Sequence, residues 1–292
     1  FDEINEAFLK KNPQIKQIAD LSNRRIAEEM KSGKFLNRNT NQIYEIPIVI
    51  HLFVDNSPLG SQTNPSDEQI KKWIDYTNGL YANTYYQNNA SVNYPFRLVL
   101  AQRTEDNKPT NGIIRLNYSN DTKYTTHGVN NETNNGYDAQ DLIKTSFWDP
   151  NSYYNVYVFN KFDSGNSGLN GYARMPESAG TIYDYTVMRS GVVRENMATF
   201  GHEVGHALGL YHVFGNSSST NCTETASSDP YTTGDFIADT APTINGNYYF
   251  SKYLTNSPTS SIINHCTNQP FDDIVSNVLN YGAGGPNGRS IL

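Results

Sequence analysis

Residues 202–212 read His202-Glu203-Val204-Gly205-His206-Ala207-Leu208-Gly209-Leu210-Tyr211-His212. His202 and His206 lie four positions apart, which on a helix puts them roughly 40° apart around the axis and about 6 Å along it. Both imidazoles can therefore bind one metal ion, and Glu203 can reach a water held on that ion. Gly209 accepts the φ > 0 conformation that stops a helix and turns the chain, so His212 swings back with a third nitrogen. Three histidines plus a water form the open tetrahedral site of a catalytic zinc, not the closed four-ligand site of a structural one. Ala198, Phe200, Val204, Ala207, Leu208 and Leu210 supply the apolar matter of a buried helix over about 195–209. The alternative is a surface helix with chance histidines. It leaves unexplained a glycine placed where the geometry needs one.

Outward from this helix, the chain reads as alternating strands and helices. Residues 43–54 (IYEIPIVIHLFV) predict a buried strand, with His51 a core or edge histidine rather than a ligand. Ser66-Asp67-Glu68-Gln69 is a capping box that opens a helix to about Tyr85, with Ile70, Trp73, Ile74 and Leu80 facing inward. Strands are expected at 96–102, 112–117, 153–159, 171–175 and 181–188, and a shorter helix at 138–147. The fold class is α+β: a twisted mixed sheet packed on two long helices, followed by an irregular, disulfide-tied C-terminal subdomain. Residues 1–41 carry Ile15, Ile18, Ile26 and Met30 at roughly helical spacing, closed by Gly33. They form an N-terminal extension ahead of a catalytic domain over 42–292, itself divided into subdomains 42–209 and 210–292. The extension is a candidate pro-segment; the alternative is an N-terminal helix of the mature domain.

Composition narrows the class further. A chain of 292 residues can bury a large core. Its formal net charge of −7 argues against nucleic acid as a partner. No run of 18 apolar residues occurs, so no transmembrane helix is expected. The chain starts at Phe1 without a charged-then-apolar leader, as expected once a signal peptide is removed. Richness in Asn, Ser, Thr and Tyr with only 17% charged residues suits secretion or the cell surface. The two cysteines, Cys222 and Cys266, lie in an irregular Gly/Ser/Asn-rich region, which suggests a disulfide made in an oxidising compartment. Two free thiols are the alternative.

The long zinc motif resembles that of the metzincin zinc peptidases. Local detail is similar to their pappalysin-like branch, of the ulilysin and mirolysin type. Gly201–Phe214 (GHEVGHALGLYHVF) looks like that family's active-site helix. Gly171-Tyr172-Ala173-Arg174-Met175-Pro176 is similar to its substrate-binding edge strand. Gly234-Asp235-Phe236-Ile237-Ala238-Asp239-Thr240 resembles its post-helix loop, with Ala241 intervening before Pro242. Asn277-Val278-Leu279-Asn280-Tyr281 resembles the Met-turn, with Leu279 where the family has methionine. Leu and Met have similar volumes, and such swaps usually cost under about 1.5 kcal/mol.

The resemblance implies a secreted, zinc-dependent endopeptidase acting on protein or peptide substrates. Glu203 would be the general base acting on a metal-activated water, and Tyr281 would stabilise the oxyanion. The family also has disulfides in the region of Cys222 and Cys266. Its calcium in this region makes Asp235 and Asp239 candidate ligands, against plain turn capping. Members that cut before Arg or Lys carry an acidic residue just after the Met-turn tyrosine. Here Gly282-Ala283-Gly284-Gly285 has none, so that specificity does not carry over. Only eleven residues follow Tyr281, too few for the family's usual C-terminal helix, so truncation, cleavage or a missing helix is expected. A catalytically silent zinc module or adhesin is the alternative function; Leu279 hints at it and the intact Glu203 argues against it. A small-substrate hydrolase using the same metal is a third reading. Latency by a pro-segment cannot use cysteine here, and residues 1–41 hold no histidine. The candidates are Asp2, Glu3, Glu6, Asp20, Glu28 and Glu29, or plain steric cover.

Overall fold

The run Tyr44–Val54 is apolar almost without interruption from Ile46 onward, which is how a strand buried on both faces reads. In the computed structural model it forms strand β1, and its residues Ile48–Val54 are buried. The described residues are 2–32, 42–84, 93–131, 133–163, 169–215, 217, 221–224, 228–231, 233–238, 240–244, 263–269 and 277–281. β1 pairs in parallel with β2 (Phe96–Leu100) through Tyr44–Ile48 and with β3 (Ile113–Asn117) through Ile50–Val54. It also pairs in parallel with β4 (Tyr154–Phe159), which pairs in parallel with β6 (Tyr185–Arg189). The short β5 (Gly171–Ala173) joins β6 antiparallel and ends the strand order β2-β1-β4-β6-β5. The sheet is therefore mixed, as expected, with its single antiparallel pair at one edge.

The chain divides into two compact units. The first comprises Phe1–Lys16, Ile43–Asn78 and Phe96–Leu208. Its aromatic core gathers Phe53, Tyr124, Tyr157, Phe159 and Tyr185, and the Tyr124 hydroxyl donates to the Phe53 carbonyl at 2.7 Å. His51 is a core histidine. It is fully buried, stacks on Tyr157 with ring centroids 4.5 Å apart, and sits 2.9 Å from Asn155 Oδ1 through Nε2. Burial pushes its pKa down to about 4, because a charged imidazole loses its hydration there.

Helix α3 (Asp67–Tyr81) starts with the expected capping box: Ser66 N donates to Gln69 Oε1 at 2.7 Å, and Gln69 N to Ser66 Oγ at 3.3 Å. Its Ile70, Trp73, Ile74 and Leu80 are all buried. Asn78 fastens it to β2 by two bonds with the Leu98 backbone, of 2.9 and 2.8 Å. Two short helices follow β3: α4 (Thr122–His127) and α5 (Ala139–Ile143). The sequence reading gave no α4 and a longer α5. Asp121 caps α4 by accepting from Tyr124 N at 2.9 Å, and Gly128 at φ 66° ends it. The strand expected at 181–188 begins only at Tyr185, because Thr181–Asp184 close a turn through Asp184 N to Thr181 O at 3.0 Å.

The N-terminal extension is two helices, α1 (Asp2–Lys11) and α2 (Pro13–Lys31). Pro13 sets the break: it has no N–H to continue α1, and its fixed φ suits the first position of α2. Ile15 is buried but Ile18 is 51% exposed, so the apolar stripe is narrower than the spacing implied. The side chains of Ile26 and Met30, and all of Gly33, lie outside the described residues.

The second unit comprises Gln17–Gln42, Gly79–Pro95 and Gly209–Leu292. Its described residues after Gly209 form no helix or strand. The Cys222–Cys266 disulfide joins two of them that lie 44 positions apart in sequence. Asn264 ties two loops, donating to Pro242 O at 2.9 Å and binding Gln269 O through its backbone N at 2.8 Å. Val213, Phe214, Ile244, Val278 and Leu279 are buried apolar residues of this region. Two bonds join it to α2 within the unit: Asn23 Nδ2 to the Tyr211 hydroxyl at 3.1 Å, and Lys31 Nζ to Asp229 at 2.8 Å.

Candidate active site

The site is built on helix α6 (Thr199–Ala207), in which Phe200 to His206 are all buried. Phe200 stacks on Trp73 of α3 with ring centroids 4.2 Å apart, which fixes the helix against its neighbour. The helix ends with Leu208 N donating to Val204 O at 3.0 Å, and Gly209 follows at φ 95°. That conformation strains any residue with a Cβ, which is why the glycine stands there.

One helical turn brings His202 Nε2 and His206 Nε2 to 3.0 Å of each other. The ligating atoms of His202, His206 and His212 all lie within 4.8 Å of one another, and all three side chains are buried. This donor set fits zinc: ligands about 2.0–2.1 Å from the ion in a tetrahedron stand roughly 3.3 Å apart. His212 sits in an aromatic setting, with Tyr281 edge-on at 4.6 Å and Phe214 stacked at 4.6 Å.

Glu203 is 4% exposed, and burial pushes its carboxyl pKa up to about 8. The Ala173 backbone N–H donates to this carboxylate and acts in the opposite sense. The second oxygen, Oε2, has no hydrogen-bond partner among the described residues. The donor explains the position. Arg174 N bonds Tyr185 O at 3.1 Å, so residues 172 and 174 turn their backbone groups toward β6. Residues 171 and 173 turn theirs to the free edge of the sheet. Glu203 thus faces an open strand edge.

The turn at Asn277–Tyr281 is tightened by side-chain acceptors. Leu279 N donates to Asn277 Oδ1 at 2.8 Å, and Tyr281 N to Asn280 Oδ1 at 2.9 Å. Leu279, at the family's methionine position, is 2% exposed.

A model of the peptidase family described as pregnancy-associated plasma protein-A matches residues 135–283, just over half the chain. The chain belongs to this family, the pappalysins. Family membership makes this pappalysin a zinc metalloendopeptidase, with a three-histidine site available for the ion. Its fold is similar to mature mirolysin of Tannerella forsythia in complex with a cleaved peptide: TM-score 0.58, 22% identity, 86% of this chain and 88% of that one. It is likewise similar to a mutant of Tannerella forsythia promirolysin, with TM-score 0.61, 22% identity, and 96% and 85% covered. A mirolysin structure in complex with compound 9 matches at TM-score 0.59. A search of curated proteins finds no match.

The remaining expected residues divide. Cys222 and Cys266 form the disulfide. Asp235 is buried and accepts from Ile237 N at 3.0 Å, which is the turn-capping geometry. A Cβ on Gly234 would meet the Glu224 carboxylate at 2.0 Å, so the loop before Asp235 packs directly on a buried acid. Asp239 and the stretch 282–285 lie outside the described residues. The sequence reading placed Arg174 in the edge-strand motif without giving it a role, and passed over Phe8. Strand alternation already put Arg174 on the same face as Tyr172, but nothing local tied either residue to Phe8.

Proposed function

We propose that this pappalysin is a secreted endopeptidase that hydrolyses peptide bonds with Glu203 as general base. The observation that carries the reading is the bond from Ala173 N–H, on the free edge of β5, to the Glu203 carboxylate. An extended peptide added to that edge gains main-chain hydrogen bonds and places a scissile carbonyl beside Glu203. His202, His206 and His212 would hold the zinc. When bound, zinc supplies Lewis acidity toward water and carbonyl oxygen. Glu203 takes the proton of the attacking water and passes it to the leaving amine. The Tyr281 hydroxyl stabilises the oxyanion of the tetrahedral intermediate, and the ring contact between Tyr281 and His212 supports this placement.

Secretion is supported by the disulfide, which persists in oxidising compartments. No helix of the described residues is long and apolar enough to cross a membrane. Residues 1–41 act as a pro-segment, and their deletion should raise peptide cleavage. Calcium at Asp235 and Asp239 is the remaining part of the proposal. It requires that calcium-selective chelation lower the unfolding temperature while zinc stays bound. The decisive test is Glu203→Ala, which should keep fold and zinc but lose hydrolysis by several orders of magnitude. Activity within tenfold of the parent chain would remove Glu203 from its role.

A further inference from the structure

Arg174 follows β5 directly and shares a strand face with Tyr172. Its guanidinium carbon lies 4.0 Å from the centre of the Phe8 ring, 5.3 Å from that of Tyr172 and 5.7 Å from that of Tyr185. Phe8, on α1, is 8% exposed and meets Tyr183 edge-on at 5.1 Å. Among the described residues, Arg174 Nε and Nη1 are buried without a hydrogen-bond partner, and only Nη2 reaches the Tyr185 hydroxyl, at 3.5 Å. A guanidinium kept only for stability would be paired with a carboxylate, since burying N–H groups unpaired is costly. This one is instead placed among aromatic rings, where the cation–π attraction is strongest once water is excluded.

We propose that the pocket formed by Tyr172, Arg174, Tyr183 and Tyr185 is a side-chain subsite for an aromatic residue of the peptide substrate, and that Phe8 fills it in the full chain. The inference rests on the peptidase reading and on substrate binding at the β5 edge. A peptide strand added to that edge alternates its side chains between the two faces of the sheet. Those on the Tyr172 face fall beside Tyr172 and Arg174, at the usual cross-strand spacing of about 5 Å. Phe8 shows which side chain the pocket accepts: a planar ring lying against the guanidinium. The same contact makes Arg174 a specificity-determining residue and makes Phe8 a plug that competes with substrate.

The test scans a peptide series, placing Phe, Ala or Glu in turn at each position around the scissile bond. It uses the full chain, Phe8→Ala, and Phe8→Ala combined with Arg174→Gln or Arg174→Lys, all checked for folding by thermal unfolding. Phe8→Ala should raise kcat/KM for the peptide with Phe at one position, mainly through KM. At that position Phe should exceed Ala by about tenfold, as one desolvated ring–guanidinium contact supplies. Arg174→Gln should bring the ratio near one, and Arg174→Lys, which keeps the charge and loses the plane, should leave it in between. A ratio indifferent to Arg174 at every position, or a preference for Glu over Phe, overturns the subsite. Glu203→Ala is run in each background. Glu203-dependent cleavage with a flat ratio sinks the subsite alone, whereas no Glu203-dependent cleavage in any background sinks the peptidase reading and the subsite with it.

Discussion

The sheet unit and the loops after Gly209 are held together by different means. In the first, five parallel or antiparallel ladders bury side chains such as Ile48, Ile50, Trp73, Val156 and Phe200 completely. In the second, the described residues after Gly209 make no ladder. They rely on one disulfide, a few buried apolar residues, and side chains such as Asn264, Asn277 and Asp235 that bond nearby backbone groups. The motif straddles this change of regime: His202 and His206 sit on a helix from the first, and His212 opens the second. The comparison teaches that two of the candidate ligands are positioned by secondary structure and packing, while the third, His212, sits in a turn closed by Gly215 N to its carbonyl at 2.8 Å and against the rings of Phe214 and Tyr281.

Three measurements test this difference. The largest effect is expected in the sheet unit. Trp73→Ala removes the ring stacked on Phe200 and should cost about 3–5 kcal/mol by denaturant unfolding. A loss under 1 kcal/mol would mean that α6 is not anchored by α3.

Next, replacing both Cys222 and Cys266 with Ser opens a 44-position loop and should cost roughly 4 kcal/mol in the chain-entropy account. Hydrogen exchange should speed up after residue 209 and stay protected in β1 and β4. Equal loss of protection in the strands would erase the contrast between the regions.

The smallest effect is a pH dependence confined to the sheet unit. His51 is held neutral, with a folded pKa of about 4 against an ordinary value of 6.5. Its contribution is fully present above pH 6.5 and is lost as pH falls toward 4, because the unfolded chain binds the proton first. The loss is on the order of 3 kcal/mol across that window. His51→Gln should flatten the decline between pH 6.5 and 4. An unchanged slope would show that other groups cause it.

The sequence by itself determined whatever depends on near neighbours in the chain. Helical spacing of His202 and His206, the stop at Gly209, the Ser66–Gln69 capping box and the apolar run of β1 are all local, and each stands in the structure as read. With only two cysteines, the intramolecular pairing was also fixed once a bridge formed. The edge position of β5 was expected from the resemblance, but only the tertiary structure decided the full strand order and the bond from Ala173 to Glu203 across 30 positions. It alone exposed Ile18, and it alone seated Phe8 on Arg174, 166 positions away. The physical reason is that spacing and capping act within a turn or two of chain. Which strand lies beside which, and which ring covers a cation, follow from burying apolar surface over the whole molecule.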